Sequence, residues 1–167
     1  MIRKWRNSRE VSKYMYTNDS ITEEQQLKWY RRIKDDQTKR YWLIKVDKKP
    51  IGVVNLYDID TRNKRCYWAY YLADSSVRGK GVGKLIELNI LSYIFDYLGF
   101  NKLCCEILNI NEIVIKIHQK YGSKIEGNFR KHVYKDGKFH DIVCMGILKE
   151  DWKEIKSNFD FDPIKIE

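Results

Sequence analysis

The sequence predicts a single α/β domain, in which a mostly antiparallel sheet is flanked by helices and contains one parallel strand–helix–strand crossover. Three observations lead to this fold class. Three β-rich segments follow one another across short polar turns, a long amphipathic segment separates two apolar strands, and an Asp-Gly turn joins two strands near the end. A length of 167 residues suits one domain over 1–167.

The first half of the chain predicts helices followed by a β-meander. Thr22-Glu23-Glu24-Gln25 has the form of a capping box, and apolar residues follow it at helical spacing. The β-rich segments then alternate with turn residues. The predicted strands are 41–46, 51–57 and 66–72, with turns at 47–50 and 61–64.

The second half predicts the crossover and a closing hairpin. Apolar residues recur at intervals of three and four from Val82 to Leu98, and Gly99 ends this helix. A strand follows at 102–108, and because a helix separates it from the third strand, the two are predicted to be parallel. Asn111 is placed to begin the next helix. The hairpin strands are 124–134 and 139–148, around Asp136-Gly137.

Composition and charge narrow the classes of function. The formal net charge is 32 − 23 = +9, which suits a polyanionic ligand such as a nucleotide. Basic and acidic residues are interspersed, so nucleic acid is not predicted as the main partner. No apolar run approaches the roughly 20 residues of a membrane span, and the start lacks the apolar stretch of a secretory signal. The cysteines and histidines lack the spacing of a metal site. We therefore expect a cytoplasmic protein with no membrane partner and no metal, with a homodimer as the candidate assembly.

A glycine-rich loop, Arg78-Gly79-Lys80-Gly81-Val82-Gly83-Lys84, precedes the long helix. A P-loop would need Ser or Thr where Leu85 stands, and a dinucleotide fingerprint would need a later glycine, although Glu106 lies at a tolerable distance for its ribose-binding acid. A third interpretation is a loop whose backbone N–H groups hold a pyrophosphate at the helix N-terminus, with the basic side chains adding charge. The alternative is a plain strand-to-helix turn.

This loop and the segments around it resemble the GNAT superfamily of acetyl-CoA-dependent N-acetyltransferases. Arg78, Gly81 and Gly83 match the family's Arg/Gln-x-x-Gly-x-Gly/Ala motif, and Asn111 with 118–123 matches the helix that follows the next strand. The resemblance covers nearly the whole chain in the family's order. Within the family, the chain is most similar to acetyltransferases that act on UDP-4-amino sugars in pseudaminic acid biosynthesis. The matching stretches are Trp5-Arg6-Asn7, Tyr14-Met15, 52–56, 102–106 and 126–141.

The resemblance implies direct transfer of an acetyl group from acetyl-CoA to a primary amine. It implies that Tyr70, Tyr71 and Leu72 end a splayed strand that pairs with pantetheine. Loop 78–84 and Asn111 would complete the CoA site, and His118 would protonate the departing sulfur. The residues that the resemblance assigns to the UDP-amino sugar are Arg6, Arg130 and His132 for phosphates, and Asn7, Tyr14 and Met15 for sugar and uracil. A water chain would lead from the amine to Asn55, to Tyr57 or to a backbone carbonyl.

Three positions depart from the family pattern. The family's first strand should precede Trp5, where this chain almost begins, so that strand is expected to be missing. His118 stands where the family usually has Tyr, and Tyr67 stands where relatives often have Glu, which leaves the general base unassigned. Two other functions therefore stay open. One is acetylation of a different amine, such as a ribosomal protein N-terminus, a polyamine or an antibiotic, and the other is a non-catalytic CoA-binding module.

Overall fold

The computed structural model describes residues 1–166. The predicted capping box begins the third helix, where Gln25 N–H donates to Thr22 Oγ1 and Thr22 N–H donates to Gln25 Oε1. The elements, in chain order, are α1 (Ile2–Asn7), α2 (Arg9–Ser12), α3 (Glu23–Lys34), β1 (Arg40–Val46), β2 (Lys49–Asp60), β3 (Arg65–Leu72), α4 (Val82–Ser92), β4 (Lys102–Leu108), α5 (Glu112–Lys120), β5 (Lys124–Lys135), β6 (Lys138–Leu148) and α6 (Lys149–Ile155).

The strands form one sheet, in the order β1-β2-β3-β4-β6-β5 across the described residues. Each neighbouring pair is antiparallel except β3 and β4, which are parallel and are joined through α4. The predicted α/β class, the meander, the crossover and the hairpin are therefore confirmed. Within residues 1–166, no strand precedes Arg40, and the chain before it forms helices.

The parallel pair opens in the middle of the sheet. Strand β3 pairs with β4 only where Arg65–Tyr67 lies against Lys102–Cys104. Beyond this point Trp68–Leu72 pairs only with β2, and Cys105–Leu108 pairs only with β6. Two strand edges therefore diverge and leave backbone groups free on both sides of the opening. The splay predicted for the end of β3 is present.

The side chains next to the opening belong to two faces of the sheet, because successive side chains of a strand point to opposite sides. On the core face, Trp68, Leu103 and Cys105 pack in the main hydrophobic cluster with α4 and α6. We call the other side the N-terminal face. It carries Asn55, Tyr57, Tyr67, Tyr71 and Glu106, and the segment before β1 reaches it through a hydrogen bond from Tyr16.

Two helical features differ from the sequence prediction. Helix α4 ends at Ser92 and continues as a π-helical turn over Tyr93–Tyr97, and Gly99 follows at φ +67°. The sequence predicted no helix after the hairpin, yet α6 follows β6 directly and buries Trp152 completely. No helix among residues 1–166 has both the length and the apolar character needed to cross a membrane.

Candidate active site

The N-terminus of α4 presents unpaired backbone N–H groups. Gly81 occupies the N-cap position at φ +78°, a left-handed conformation that glycine adopts without strain. Leu85 is the first residue of α4 whose backbone N–H has an acceptor, and it donates to Gly81 O over 3.1 Å. The preceding N–H groups of Val82, Gly83 and Lys84 have no acceptor within residues 1–166. Such a helix start attracts anions, so it suits the pyrophosphate that the sequence predicts here.

The side chains around this loop tie β3 to α4. Tyr70 stacks on Trp68 with ring centroids 5.4 Å apart, and its hydroxyl lies 3.4 Å from where a Cβ on Gly83 would stand. The side chains of Arg78 and Lys80 are exposed and make no hydrogen bond or ion pair within the described chain. Lys84 donates instead to Asp160 O over 3.1 Å, so the chain after α6 engages its ammonium group. The role of Lys84 in CoA binding stays a prediction.

His118 lies on the core face beside the opening. It is 4% exposed, and its ring lies 5.3 Å from that of Trp68, the first β3 residue beyond the paired segment. Its Nδ1 is 2.6 Å from Glu87 Oε1 on α4, whereas Nε2 has no partner among residues 1–166 and is not enclosed. Asn111 begins the same helix about two turns earlier, and its side chain makes no capping bond.

Glu106 lies on the N-terminal face, at the other side of the opening. Tyr16 O–H donates to Glu106 Oε2 over 3.0 Å. Burial, and next the charge of Glu106, raise the pKa of both Tyr16 and Tyr57. These phenols therefore keep their protons, and Glu106 is the group beside them that can accept one. Glu106 was not predicted for this role from the sequence, although it is the only carboxylate in the strand KLCCEIL.

A pair of unsatisfied donors belongs to the same face as Glu106. Arg6 Nε and Tyr71 O–H are both buried without a partner in the described residues, and Arg6 otherwise makes a long 3.4 Å contact to Thr17 Oγ1. Burial raises the pKa of Tyr71 to about 12, and the nearby charge of Arg6 acts in the opposite direction. Buried donors are normally satisfied, so this pair is suited to an acceptor-rich ligand.

The remaining predicted substrate residues are spread more widely. Asn7 uses its side-chain amide to bond both the N–H and the C=O of Ile21 at 2.9 Å, which fixes the fold of the N-terminal segment. The ring of Tyr14 lies under the ammonium group of Lys13, Met15 is half-buried, and Asn55 has no side-chain partner within residues 1–166. Arg130 and His132 are exposed where the register of β5 shifts, and no contact in the described chain joins them to Arg6 or Glu106.

Comparison with known families shows which family the chain belongs to. A model of the acetyltransferase (GNAT) domain matches residues 1–124. The chain belongs to the GNAT acetyltransferase family. It is an acetyl-CoA-dependent N-acetyltransferase, and the free N–H groups of α4 and the open sheet fit acetyl-CoA as the co-substrate. Within residues 1–166 of this GNAT chain, no group of three or more His, Cys, Asp or Glu is arranged to hold a metal ion.

Two curated proteins and one solved structure illustrate what this GNAT chain is similar to. Acetyltransferase PseH of Campylobacter jejuni is 31% identical over 145 residues, which covers 87% of this chain and 83% of the relative. The prophage-derived N-acetyltransferase YokL of Bacillus subtilis is 28% identical over 126 residues, or 75% of this chain and 70% of the relative. A crystal structure of spermidine N-acetyltransferase from Vibrio cholerae in complex with CoA and spermine is similar in fold, with a TM-score of 0.83 at 20% sequence identity. The match covers 91% of this chain and 90% of that chain.

We predict that Gly83→Asp weakens CoA binding by about tenfold or more, since a carboxylate would stand next to the pyrophosphate. Asp in the first turn of a helix stabilises it, so a loss of affinity cannot be attributed to unfolding of α4. Calorimetric titration with CoA measures the effect. Gly127→Asp, in open space on β5, is the control with the same change of charge, and Gly83→Ala controls for volume beside Tyr70. Unchanged affinity in a folded Gly83→Asp variant would reject the loop as the pyrophosphate site.

Proposed function

We propose that this GNAT enzyme transfers the acetyl group of acetyl-CoA to the 4-amino group of a UDP-linked amino sugar. The observation that carries the proposal is the pair of buried, unsatisfied donors, Arg6 Nε and Tyr71 O–H, on the face that holds Glu106. A guanidinium Nε–H and a phenol O–H without acceptors are suited to the oxygens of a diphosphate. The 31% identity to PseH and the net charge of +9 support the same class of acceptor.

In the proposed reaction, the base and the acid lie on opposite faces of the opening between β3 and β4. On the N-terminal face, Glu106 takes a proton from the amine, whose lone pair attacks the thioester carbonyl. The free edge of β3 offers backbone N–H groups to the developing oxyanion. On the core face, His118 donates a proton from Nε2 to the sulfur as the C–S bond breaks, so that CoA leaves as a thiol. The products are the amide and CoA.

Glu106 also accounts for the base that the sequence left unassigned. Tyr67 stands where relatives often have Glu, and burial is the largest cause that raises its pKa, with Cys104 and Glu106 adding to it. Its hydroxyl is therefore no base near neutral pH. Tyr67 lies beside Cys104 in the parallel register, and Glu106 follows on the same face of β4. The carboxylate is thus supplied from the neighbouring strand, and the amine replaces Tyr16 as its hydrogen-bond partner.

Acetylation of a polyamine is the second candidate, and the similarity in fold to the spermidine N-acetyltransferase favours it. A polyamine carries several positive charges, and its site needs several carboxylates. The carboxylates that act on the N-terminal face are those of Glu106, Asp58 and Glu126. Glu126 is already paired with Lys102, and the positive charge of Arg6 acts on Tyr71 of the same face. This electrostatic balance favours an anionic acceptor.

Thiol release with three acceptors tests the proposal. The acceptors are a UDP-4-amino sugar, the same amino sugar without UDP, and spermidine. We expect the highest kcat/KM for the UDP-linked sugar. Arg6→Gln should raise the KM for this acceptor about tenfold, because one charge-assisted hydrogen bond contributes about 1.5–3 kcal/mol, and should leave turnover of the UDP-free sugar unchanged.

Arg9→Gln is the matched control, because Arg9 is exposed on the neighbouring helix α2 and loses the same charge. Equal effects of the two substitutions would indicate a general loss of positive charge, without a specific contact. Activity on spermidine alone would overturn the amino-sugar assignment and leave the acetyltransferase activity intact.

A further inference from the structure

A buried carboxylate on α4 has no role in the site described so far. Glu87 is 1% exposed and lies among apolar residues of the helix. Its Oε1 is 2.6 Å from His118 Nδ1, and its Oε2 is buried without a protein partner. Among residues 1–166, His118 is the only hydrogen-bond or ion-pair partner of the Glu87 carboxylate. The two residues come from different helices and meet only through tertiary packing.

The surroundings of Glu87 supply no other compensation for its charge. Cys105, Tyr70 and Tyr121 lie within electrostatic reach, and for each of them burial, followed by the charge of Glu87, raises the pKa. Within the described chain, neither a lysine nor an arginine pairs with the carboxylate. A carboxylate buried this deeply is unfavourable unless it is paired and hydrogen-bonded. The Glu87 carboxylate therefore interacts with His118 alone among the described residues.

We infer that Glu87 is a positioning residue for the proton transfer by His118, an inference that rests on the catalytic role proposed for His118. A carboxylate that accepts Nδ1–H fixes both the tautomer and the orientation of an imidazole, so that Nε2 is the nitrogen that exchanges its proton. Trp68 packs against the same ring at 5.3 Å. The ring is thus held by a hydrogen bond through Nδ1 and by an aromatic contact, and Nε2 is left for the sulfur.

The proton balance of the step follows from this arrangement. Before transfer, the ring carries a proton on each nitrogen, with Nδ1–H donated to Glu87. When the C–S bond breaks, its electron pair stays on sulfur and the Nε2 proton passes to it. The ring is then neutral and still donates Nδ1–H to Glu87, and a proton from solvent restores Nε2–H. Glu87 itself neither gains nor loses a proton.

A double-mutant cycle with Glu87→Gln and His118→Phe separates positioning from packing, and thiol release from acetyl-CoA with the UDP-4-amino sugar is the assay. A correctly placed general acid contributes about 10²–10⁴-fold, so we expect Glu87→Gln to lower kcat by about 10²-fold and by no more than His118→Phe does. The KM for acetyl-CoA should stay nearly unchanged. In the His118→Phe background, Glu87→Gln should cause no further loss, because its partner is absent.

The outcomes distinguish the inference from the proposed function. Equal losses from Glu87→Gln in both backgrounds would overturn the positioning role, and so would full activity of Glu87→Gln while His118→Phe is slow. Full activity of His118→Phe would instead show that His118 is not the acid, and the positioning role of Glu87 would then be wrong as well. Glu112→Gln, an exposed carboxylate on the helix of His118, is the matched control and should leave kcat unchanged.

A measurement on the wild-type chain keeps the inference testable if a variant fails to fold. Nitrogen-15 spectra of the histidine rings, recorded at alkaline pH, report which ring nitrogen carries the proton in the neutral form. We expect His118 to be protonated at Nδ1 and bare at Nε2. Protonation at Nε2 with a bare Nδ1 would overturn the role of Glu87, because the carboxylate would then face no proton.

Discussion

Replacing Glu106 by Gln should lower kcat by about 10²–10⁴-fold, the range expected for loss of a general base, and should leave the KM for acetyl-CoA nearly unchanged. Gln has the same length, and its amide oxygen still accepts the hydrogen bond that Tyr16 donates over 3.0 Å, so the fold should be preserved. The amide cannot take a proton from the amine, and the reaction loses its base. Steady-state thiol release at saturating substrates measures the effect.

Glu126→Gln is the control for this experiment. Glu126 is a partly exposed carboxylate on β5 that pairs with Lys102 at 2.7 Å, and a surface ion pair of this kind contributes at most about 1 kcal/mol. Its loss should leave kcat unchanged. If Glu106→Gln turned over at a near-native rate with chemistry limiting, the proton would have to leave through water or another group, and the assignment of Glu106 would be wrong.

His118→Phe should also lower turnover by about 10²–10⁴-fold, while CoA affinity stays nearly the same. Phe keeps an aromatic ring against Trp68 but has no proton to donate. His118→Tyr should restore much of the rate, because Tyr is the acid that the family usually has at this position. A phenol holds its proton to higher pH than an imidazole, so the rate of the Tyr variant should extend to higher pH.

The stability of the His118→Phe variant has to be measured beside its rate. The substitution leaves Glu87 buried without its partner, and breaking a buried pair in this way costs about 3–5 kcal/mol. Adding Glu87→Gln removes the buried charge, so the double variant should have the higher free energy of unfolding. Near-full turnover of a folded His118→Phe, with chemistry limiting, would mean that another group or water protonates the sulfur and that His118 serves packing.

Local signals in the sequence were sufficient for most of the fold. The Asp136-Gly137 turn places both residues at positive φ, +50° and +78°, which is the chemistry of a tight hairpin. Helix α6 was missed because its start is capped from inside the helix. Asp151 Oδ2 accepts the N–H of Leu148 over 3.0 Å, and buried Trp152 anchors the helix against the core. Neither contact is visible as periodicity over so short a segment.

The candidate site was less predictable, since it depends on register and on tertiary packing. A slip of one residue in β4 would turn Glu106 to the core face, and the sequence does not determine that register. Glu87 and His118 are 31 positions apart and meet because two helices pack on one face of the sheet. The substrate contact of Asn7 stays a prediction, and its amide binds the backbone of Ile21, a partner that no local motif indicates.

The central claim is that acetyl transfer takes place across the opening between β3 and β4, with acid and base on opposite faces. A crystal structure with CoA and a UDP-4-amino sugar bound tests it most directly. We predict that the CoA sulfur lies within hydrogen-bond reach of His118 Nε2 and that the sugar 4-amino nitrogen lies within reach of Glu106. The diphosphate should contact Arg6 and Tyr71. A sulfur remote from His118, or an amine bound away from Glu106, would contradict it.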